Sequence, residues 1–232
     1  MTEFKVVSID MFGTLVDVDS RYYNVWQIFL GEQYSDERAN QIRRHAYEVL
    51  QHHYYQVTQN SRYITTRALF EEVYSDLFTE LDLDFDPKEA AQILIKQHPL
   101  STPFEDAMKF LDSVGQKYLI CLSSDTDNDM IGPLKEMYAF DYVFTSEQLG
   151  SYKANIDGKF FSVIINHCGV RPEEILHIGD GRLEVVSASK TGITTCWLNR
   201  ASNNWSHDVK PDYVVSSLIE AASILSIDIE SE

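Results

Sequence analysis

Short apolar runs rich in β-branched residues recur along the chain, and segments with helical periodicity separate most of them. The apolar runs cover residues 4–9, 118–123, 142–145, 175–179, 194–198 and 212–215. Such near-continuous apolarity is typical of strands that are covered on both faces, as in a parallel sheet. Helices are predicted over residues 104–115, 127–138, 159–168, 183–191 and 216–226. This alternation predicts an α/β fold with a doubly wound, mainly parallel sheet.

Residues 17–99 interrupt the alternation, because they contain helical patterns and no convincing strand. Helices are predicted there at about 21–31, 36–56, 65–82 and 87–97. We therefore predict an all-helical cap domain at residues 17–99, inserted into a core domain formed by residues 1–16 and 100–232. Hinges are expected at residues 16–19 and 99–103, where proline ends the last helix of the insertion.

The charge balance limits the classes of partner. Lys and Arg number 19 and Asp and Glu number 36, which gives a formal net charge of −17. Such a chain repels nucleic-acid phosphates and anionic membranes unless a basic patch overrides the charge, and the sequence contains none. We therefore expect neither nucleic acid nor a membrane as a partner, and no oligomeric state is predicted. A small anionic substrate would need local cations or a metal ion.

The cysteines and the N-terminal sequence indicate the cellular compartment in which the protein is expected. Cys121, Cys168 and Cys196 are an odd number in no recognisable spacing, which favours buried thiols in a reducing compartment over disulfides. The N-terminus does not resemble a signal peptide, and no apolar run approaches the ~18 to 20 residues that span a bilayer. We expect a cytoplasmic protein.

Polar residues that suit catalysis follow several of the predicted strands. Ligands of an open parallel sheet bind at the carboxyl ends of its strands, so these side chains are expected to meet. They are Asp10, Gly13, Thr14, Ser123, Ser124, Asp125, Lys153, Asp180 and Glu184. Such a set suits nucleophilic displacement at an anionic centre: one carboxylate attacks, other acids hold a divalent cation, and the lysine and hydroxyls neutralise charge. Oxygen-only ligands favour Mg²⁺ over Zn²⁺.

Four ordered motifs make the chain resemble a haloacid dehalogenase (HAD) superfamily hydrolase with a helical cap inserted after the first motif. They are DMFGTL at 10–15, an apolar strand that ends in serine at 118–123, Lys153, and GDGRLE at 179–184. The resemblance covers essentially the whole chain and implies a Rossmann-like core.

The resemblance also implies roles for individual residues. Asp10 would be the nucleophile that forms an aspartyl-enzyme intermediate, with Thr14 as a supporting hydroxyl. Ser123 would hydrogen-bond the anionic oxygens of the substrate, and Lys153 would orient Asp10. The ligands expected for Mg²⁺ are Asp10, Asp180, Glu184 and the backbone carbonyl of Phe12. Further substrate contacts are expected from Phe12, Gly13, Ser124, Arg43 and Arg44.

Phe12 departs from the phosphatase pattern of this family, which carries a second aspartate two positions after the nucleophile. That aspartate protonates the leaving alcohol, and losing a general acid typically costs about 10²- to 10⁴-fold in rate. The favoured hypothesis is a Mg²⁺-dependent phosphatase that acts on a good leaving group or recruits acid–base help from the cap or from Asp125. Asp180 supports it, because the dehalogenases of the family resemble Ser-Ser-Asn at that motif.

Two alternatives remain open. The first is a metal-independent 2-haloacid dehalogenase, since halide leaves without a proton and such members carry an aromatic residue at the position of Phe12. Arg43 or Arg44 would then receive the halide. The second alternative is a catalytically reduced protein that binds a phosphorylated ligand.

Overall fold

The computed structural model describes residues 3–229, and its central element is a parallel sheet. The strands of this part of the chain are β1 (Val6–Ile9), β2 (Val16–Asp17), β3 (Thr102–Pro103), β4 (Leu119–Ser124), β5 (Tyr142–Thr145), β6 (Ile175–Gly179), β7 (Thr194–Leu198) and β8 (Tyr213–Val215). The sheet has the strand order β5-β4-β1-β6-β7-β8, and every pairing in it is parallel. Val7 of β1 pairs with Ile120 of β4 and with Leu176 of β6. The strands that precede the four sequence motifs are therefore neighbours, and their carboxyl ends lie along one edge of the sheet.

Helices cover both faces of this sheet and form a separate layer above its carboxyl edge. They are α1 (Asp19–Leu30), α2 (Asp36–Gln59), α3 (Thr66–Leu81), α4 (Pro87–Gln97), α5 (Glu105–Val114), α6 (Gly132–Met137), α7 (Ser146–Leu149), α8 (Lys159–Cys168), α9 (Arg182–Lys190) and α10 (Leu218–Ile224). Among residues 3–229, no helix combines the length and the apolarity that crossing a membrane requires.

Alternate residues of β1 pack into the two apolar cores on opposite faces of the sheet, because successive side chains of a strand point in opposite directions. Val7 and Ile9 of β1 pack with Phe110 of α5 and Leu218 of α10 on one face. Val6 of β1 packs with buried side chains of α8 and α9 on the other face: Phe160, Phe161, Ile164 and Ala188. Burial on both faces explains why the strands read as continuous apolar runs.

Helices α1–α4 enclose an apolar core of their own. Trp26 and Phe29 of α1 pack there with Leu77 and Phe78 of α3 and with Leu94 of α4. These helices lie within three residues of the predicted bounds at each end. The expected α/β architecture with an inserted helical layer is confirmed.

A two-stranded ribbon joins the inserted helices to the sheet at the segments predicted as hinges. Val16 of β2 pairs antiparallel with Pro103 of β3, and the Phe104 N–H donates to the Leu15 carbonyl at 3.0 Å. The sequence did not predict this ribbon, because strands of two residues carry no periodic signal. The two segments that connect the inserted helices to the sheet are thus hydrogen-bonded to each other.

Asp127 differs from the role that its sequence position suggests. A helix was predicted to begin there, but a short 3₁₀ turn at Asn128–Met130 precedes α6, which starts at Gly132. Pro133 has no backbone N–H to donate to the carbonyl four residues earlier but is tolerated in the first turn of a helix, so α6 starts just before it. The Asp127 carboxylate instead accepts the backbone N–H groups of Thr66 and Arg67 at 2.7 and 3.0 Å. A loop of the sheet therefore caps the first turn of cap helix α3.

Candidate active site

A cleft of about 1340 Å³ lies between the carboxyl edge of the sheet and helices α1–α4. Asp10 lies at its floor, directly after β1, and its backbone N–H donates to the Ile178 carbonyl at 3.0 Å. This bond continues the β1–β6 pairing by one residue and fixes the backbone that carries the carboxylate. Asp10 is 5% exposed, so its carboxylate is largely shielded from bulk water.

Lys153 connects two buried carboxylates. Its Nζ lies 2.5 Å from Asp10 Oδ1 and also forms an ion pair with Glu184. Burial alone would lower the pKa of Lys153, but the charges of Asp10 and Glu184 outweigh it and raise the pKa above its usual value. The ammonium group therefore stays charged and holds Asp10 in one orientation.

The carboxylates around Lys153 differ in their tendency to ionise. Burial opposes the charge of Glu184, but Lys153 overrides it and lowers the pKa of Glu184 to about 2. Burial, together with the charges of Glu184 and Asp180, raises the pKa of Asp10 against the opposing effect of Lys153. For Asp180, the enclosing protein and the charge of Glu184 raise the pKa to about 7, although its side chain opens onto the cleft. One ammonium group therefore does not fully compensate the negative charge of the site.

The Asp180 loop is held close to the Asp10 loop. Gly13 has a φ of +81°, and a Cβ at this position would lie 2.6 Å from Asp180 Oδ2. The Thr14 hydroxyl donates to Asp180 Oδ1 at 3.5 Å, and the Trp197 indole N–H donates to the Asp180 carbonyl at 2.9 Å. Only glycine suits both the backbone conformation and the approach of the carboxylate.

The carboxylates of Asp10, Asp180 and Glu184 form a cluster that suits a cation. One oxygen atom from each lies within 4.8 Å of the others. Hard divalent cations such as Mg²⁺ prefer oxygen ligands of this kind, and the crowded negative charge supplies the attraction. Glu184 is already engaged by Lys153 and by the Gly181 N–H at 3.0 Å. The residues therefore fit a Mg²⁺ site in which Asp180 is the least committed carboxylate and Asp10 is shared with Lys153, with Phe12 beside them on the cleft wall.

Both Ser123 and Ser124 were predicted to contact the substrate, and Ser124 is the one whose side chain lines the cleft. Ser123 is fully buried, and its hydroxyl shares a 2.7 Å hydrogen bond with Ser8, whose hydroxyl lies 3.0 Å from His177 Nδ1. Ser124 Oγ has no hydrogen-bond partner within the described part of the chain. Successive side chains of a strand point to opposite faces, so these two serines cannot share one role.

Arg43 and Arg44 of α2 both line the cleft, as expected for substrate contacts, but their surroundings differ. Arg43 forms an ion pair with Asp19, and its guanidinium lies 5.5 Å from the centre of the Tyr22 ring. Arg44 has no ion-pair partner among residues 3–229. Its charge is therefore available to an anionic group in the cleft.

Comparison with known protein families decides the family of this chain. A model described as a haloacid dehalogenase-like hydrolase matches residues 4–190. The chain belongs to the haloacid dehalogenase-like hydrolases. No curated protein matches it.

Solved structures share the fold of this HAD-like hydrolase over nearly its whole length. The putative HAD-hydrolase YfnB from Bacillus subtilis, bound to magnesium, has a TM-score of 0.82 at 16% identity and covers 97% of this chain and 100% of that chain. A dehalogenase with an intermediate complex has a TM-score of 0.81 at 18% identity and covers 100% of both chains. L-2-haloacid dehalogenase from Xanthobacter autotrophicus, with chloropropionic acid covalently bound, has a TM-score of 0.80 at 18% identity and covers 96% of this chain and 98% of that chain.

The sequence did not predict the contacts of three further residues in the HAD-like site: Arg200, Tyr54, and Asp125, which was named only as a source of acid–base help. Arg200 donates to both carboxylate oxygens of Asp106 at 2.8 and 3.0 Å and to the Thr14 carbonyl at 3.1 Å, which fixes the loop after Asp10. Tyr54 of α2 donates its hydroxyl to Asp125 Oδ2 at 2.6 Å across the cleft. Their positions in the sequence could have indicated a place in the site, since Arg200 and Asp125 each follow the carboxyl end of a strand.

Proposed function

We propose that this HAD-like hydrolase cleaves a small anionic substrate by attack of the Asp10 carboxylate and releases a leaving group that needs no proton. The observation that carries the proposal is the constellation of Asp10, Lys153 and Phe12. Lys153 Nζ lies 2.5 Å from Asp10 Oδ1, and the position two residues after Asp10 holds a phenylalanine on the cleft wall. The nucleophile is thus oriented, while the usual proton donor is replaced by a ring that cannot donate.

The substrate class that best suits these residues is a phosphorylated metabolite with an acidic leaving group, such as an acyl or aryl phosphate. The cluster of Asp10, Asp180 and Glu184 supports this choice, because crowded carboxylates repel an anionic substrate unless a cation joins them. Mg²⁺ bound by Asp10 and Asp180 would neutralise developing charge on the phosphoryl oxygens.

The residues of the chain divide the remaining work. Asp10 Oδ attacks phosphorus, and the bond to the leaving oxygen breaks as that oxygen departs as an anion. Lys153 offsets charge and keeps the attacking oxygen in place, while the free Ser124 hydroxyl is positioned to donate to a substrate oxygen. Water then hydrolyses the aspartyl phosphate and regenerates Asp10. The cap of residues 17–99 would enclose the substrate and select it.

A second candidate is a 2-haloacid dehalogenase, in which Asp10 displaces halide from carbon. Halide is a weak base and needs no proton, which suits Phe12, and Arg44 offers an uncommitted positive charge. The names of the similar solved structures support this alternative better than the phosphatase. The Asp180 carboxylate beside Asp10 counts against it, since a metal-free site would repel the carboxylate of a haloacid.

A paired screen distinguishes the two candidates. The protein is assayed with p-nitrophenyl phosphate, acetyl phosphate and 2-chloropropionate, each in Mg²⁺ and in EDTA. We expect phosphate release that requires Mg²⁺ and disappears in Asp10→Asn, with Asp84→Asn, an exposed cap residue, as the matched control. Halide release that persists in EDTA would establish the second candidate instead. Absence of turnover on every probe would indicate the ligand-binding alternative and overturn the proposal.

A further inference from the structure

One carboxylate connects the cap to the nucleophile through three consecutive hydrogen bonds. The Tyr54 hydroxyl of α2 donates to Asp125 Oδ2 at 2.6 Å, and the Lys153 backbone N–H donates to Asp125 Oδ1 at 2.8 Å. The Nζ of the same lysine lies 2.5 Å from Asp10 Oδ1. Asp125 therefore uses one oxygen toward the cap and the other toward the residue that orients Asp10.

Neighbouring contacts fix the same parts of the cap against the same two loops. The Tyr54 ring lies edge-on to Tyr152, with centroids 5.5 Å apart, and the Tyr152 hydroxyl donates to the Ile64 carbonyl at 3.0 Å. Asp127, two residues after Asp125, caps the first turn of α3. Tyr54 is thus held where its hydroxyl donates to Asp125. This contact is one of several between the cap helices and the loops that follow β4 and β5.

The geometry of Asp125 indicates positioning rather than proton donation. Burial raises the pKa of its carboxyl group against the effect of Lys153, but both oxygens accept hydrogen bonds, and acceptance stabilises the ionised form. A carboxylate that accepts on both sides has no proton to give to a leaving group. It can, however, set the distance between Tyr54 and the Lys153 backbone.

We propose that Asp125 is a positioning residue that couples seating of the cap, through Tyr54, to the placement of Lys153 and hence to the orientation of Asp10. The inference rests on the proposed function, in which Asp10 attacks the substrate. When the cap is seated, Tyr54 holds one Asp125 oxygen, and the other then fixes the Lys153 backbone. Without that hydroxyl, Asp125 and the lysine loop gain freedom, and the ammonium group orients Asp10 less often.

Steady-state kinetics with p-nitrophenyl phosphate and Mg²⁺ test the coupling in Tyr54→Phe, Asp125→Asn and the double variant. We expect kcat to fall about 10-fold in Tyr54→Phe, the loss typical of one hydrogen bond to a charged group, with KM within about twofold. The double variant should lose no more than Asp125→Asn alone, because both changes break one chain of contacts. The matched control is Tyr34→Phe, which removes a hydroxyl 2.5 Å from Asp36 Oδ1 on the cap surface away from the cleft.

Hydrogen exchange of the Lys153 amide supplies a readout that does not depend on turnover. We expect faster exchange in Tyr54→Phe than in the wild type, and no change in Tyr34→Phe. Unchanged exchange in Tyr54→Phe would overturn the inference, as would a kcat within twofold of wild type or losses that multiply in the double variant. A wild-type protein that turns over no probe would overturn the proposed function itself, and with it the positioning role, while exchange would still report the contact.

Discussion

The Phe12 ring lies against the imidazole of His98, with the two ring centroids 5.4 Å apart. His98 belongs to the turn that follows α4, so the position two residues after Asp10 contacts the end of the cap rather than presenting an acid to the cleft. Burial lowers the pKa of His98 to about 4, and the imidazole is therefore neutral at pH 7. Neither ring of this pair is a proton donor comparable to a carboxylic acid.

Replacing Phe12 tests whether only a proton donor is missing. We expect Phe12→Asp to raise hydrolysis of a simple alkyl phosphate in Mg²⁺ by about 10-fold or more, because general acids contribute about 10²- to 10⁴-fold to such reactions. Phe12→Leu removes the ring without adding an acid and should show no gain. Equal rates for the two variants would mean that another group already protonates the leaving group, or that phosphate esters are not the substrate class.

Lys153 is expected to matter for both stability and turnover. In Lys153→Met, Asp10 and Glu184 lose their shared partner, and breaking a buried ion pair typically costs about 3 to 5 kcal/mol. Turnover should fall about 10²- to 10³-fold, as when a preorganised electrostatic group is removed from an active site. Urea unfolding and initial rates measure the two effects. Lys159→Met is the control, since the hydrogen bond of that exposed ammonium group within residues 3–229 goes to the backbone carbonyl of Gly150. A similar loss there would refute the assignment.

The sequence predicted the strands of the core and the mainly parallel character of its sheet, because burial on both faces leaves a continuous apolar signature. The positions of Asp10, Lys153 and Glu184 followed from it, since the carboxyl ends of parallel strands share one edge. The choice between Ser123 and Ser124 did not follow, because it depends on which face each side chain takes at the last residues of β4. A shift of one residue exchanges the two faces.

Contacts between the cap and the sheet were also beyond the sequence. Asp127 caps α3, which lies about sixty residues earlier in the chain, and Tyr54 meets Asp125 across the cleft. Periodicity identifies the elements but not their docking, because the partners of a polar side chain depend on tertiary geometry. Asp127 has the same local pattern whether it caps the helix that follows it or one in another layer.

Gly13 is expected to tolerate no side chain. Its φ of +81° is strained for other residues, and a Cβ would lie 2.6 Å from Asp180 Oδ2. We expect Gly13→Ala to lower the free energy of unfolding by more than about 1 kcal/mol and to reduce turnover by displacing Asp180. Gly132→Ala, at the start of α6 with open space around the added Cβ, should be neutral or slightly stabilising. Unfolding in urea compares the two, and equal effects would contradict the steric argument.

We expect the stability difference between the wild type and a Glu174 variant to depend on pH. The hydrogen bond from Lys5, with those from the backbone and side chain of Arg171, lowers the pKa of Glu174 to about 2 from an unperturbed 4.5. A depressed carboxyl pKa stabilises the folded state above the unfolded value, and that contribution is lost as the pH falls from 4.5 toward 2. The urea midpoint of Glu174→Gln should lie below that of the wild type at pH 7, and the gap should narrow at pH 3. Glu173→Gln, a more exposed neighbour, should show little gap at either pH.

Removing the Asp180 charge separates a metal site from a cluster of carboxylates that merely lie together. The enclosing walls of the cleft and the charge of Glu184 disfavour ionised Asp180, so its charge destabilises the metal-free protein at pH 8, above its pKa of about 7. Asp180→Asn should therefore melt at a higher temperature than the wild type in EDTA. Addition of Mg²⁺ should reverse the order: only the wild type gains, by about 2.7 kcal/mol when the ion reaches a hundredfold excess over its Kd.

The reversal is the informative result, because a general effect of ionic strength would shift both proteins alike. Asp84→Asn, which changes the same functional group on the surface of the cap, should follow the wild type in both buffers. Thermal unfolding monitored by tryptophan fluorescence measures each melting temperature, with Na⁺ at matched ionic strength as the salt control. Equal Mg²⁺ shifts in the wild type and Asp180→Asn would show that Asp180 does not bind the cation. Phe12 and Arg44 would then favour the metal-independent dehalogenase.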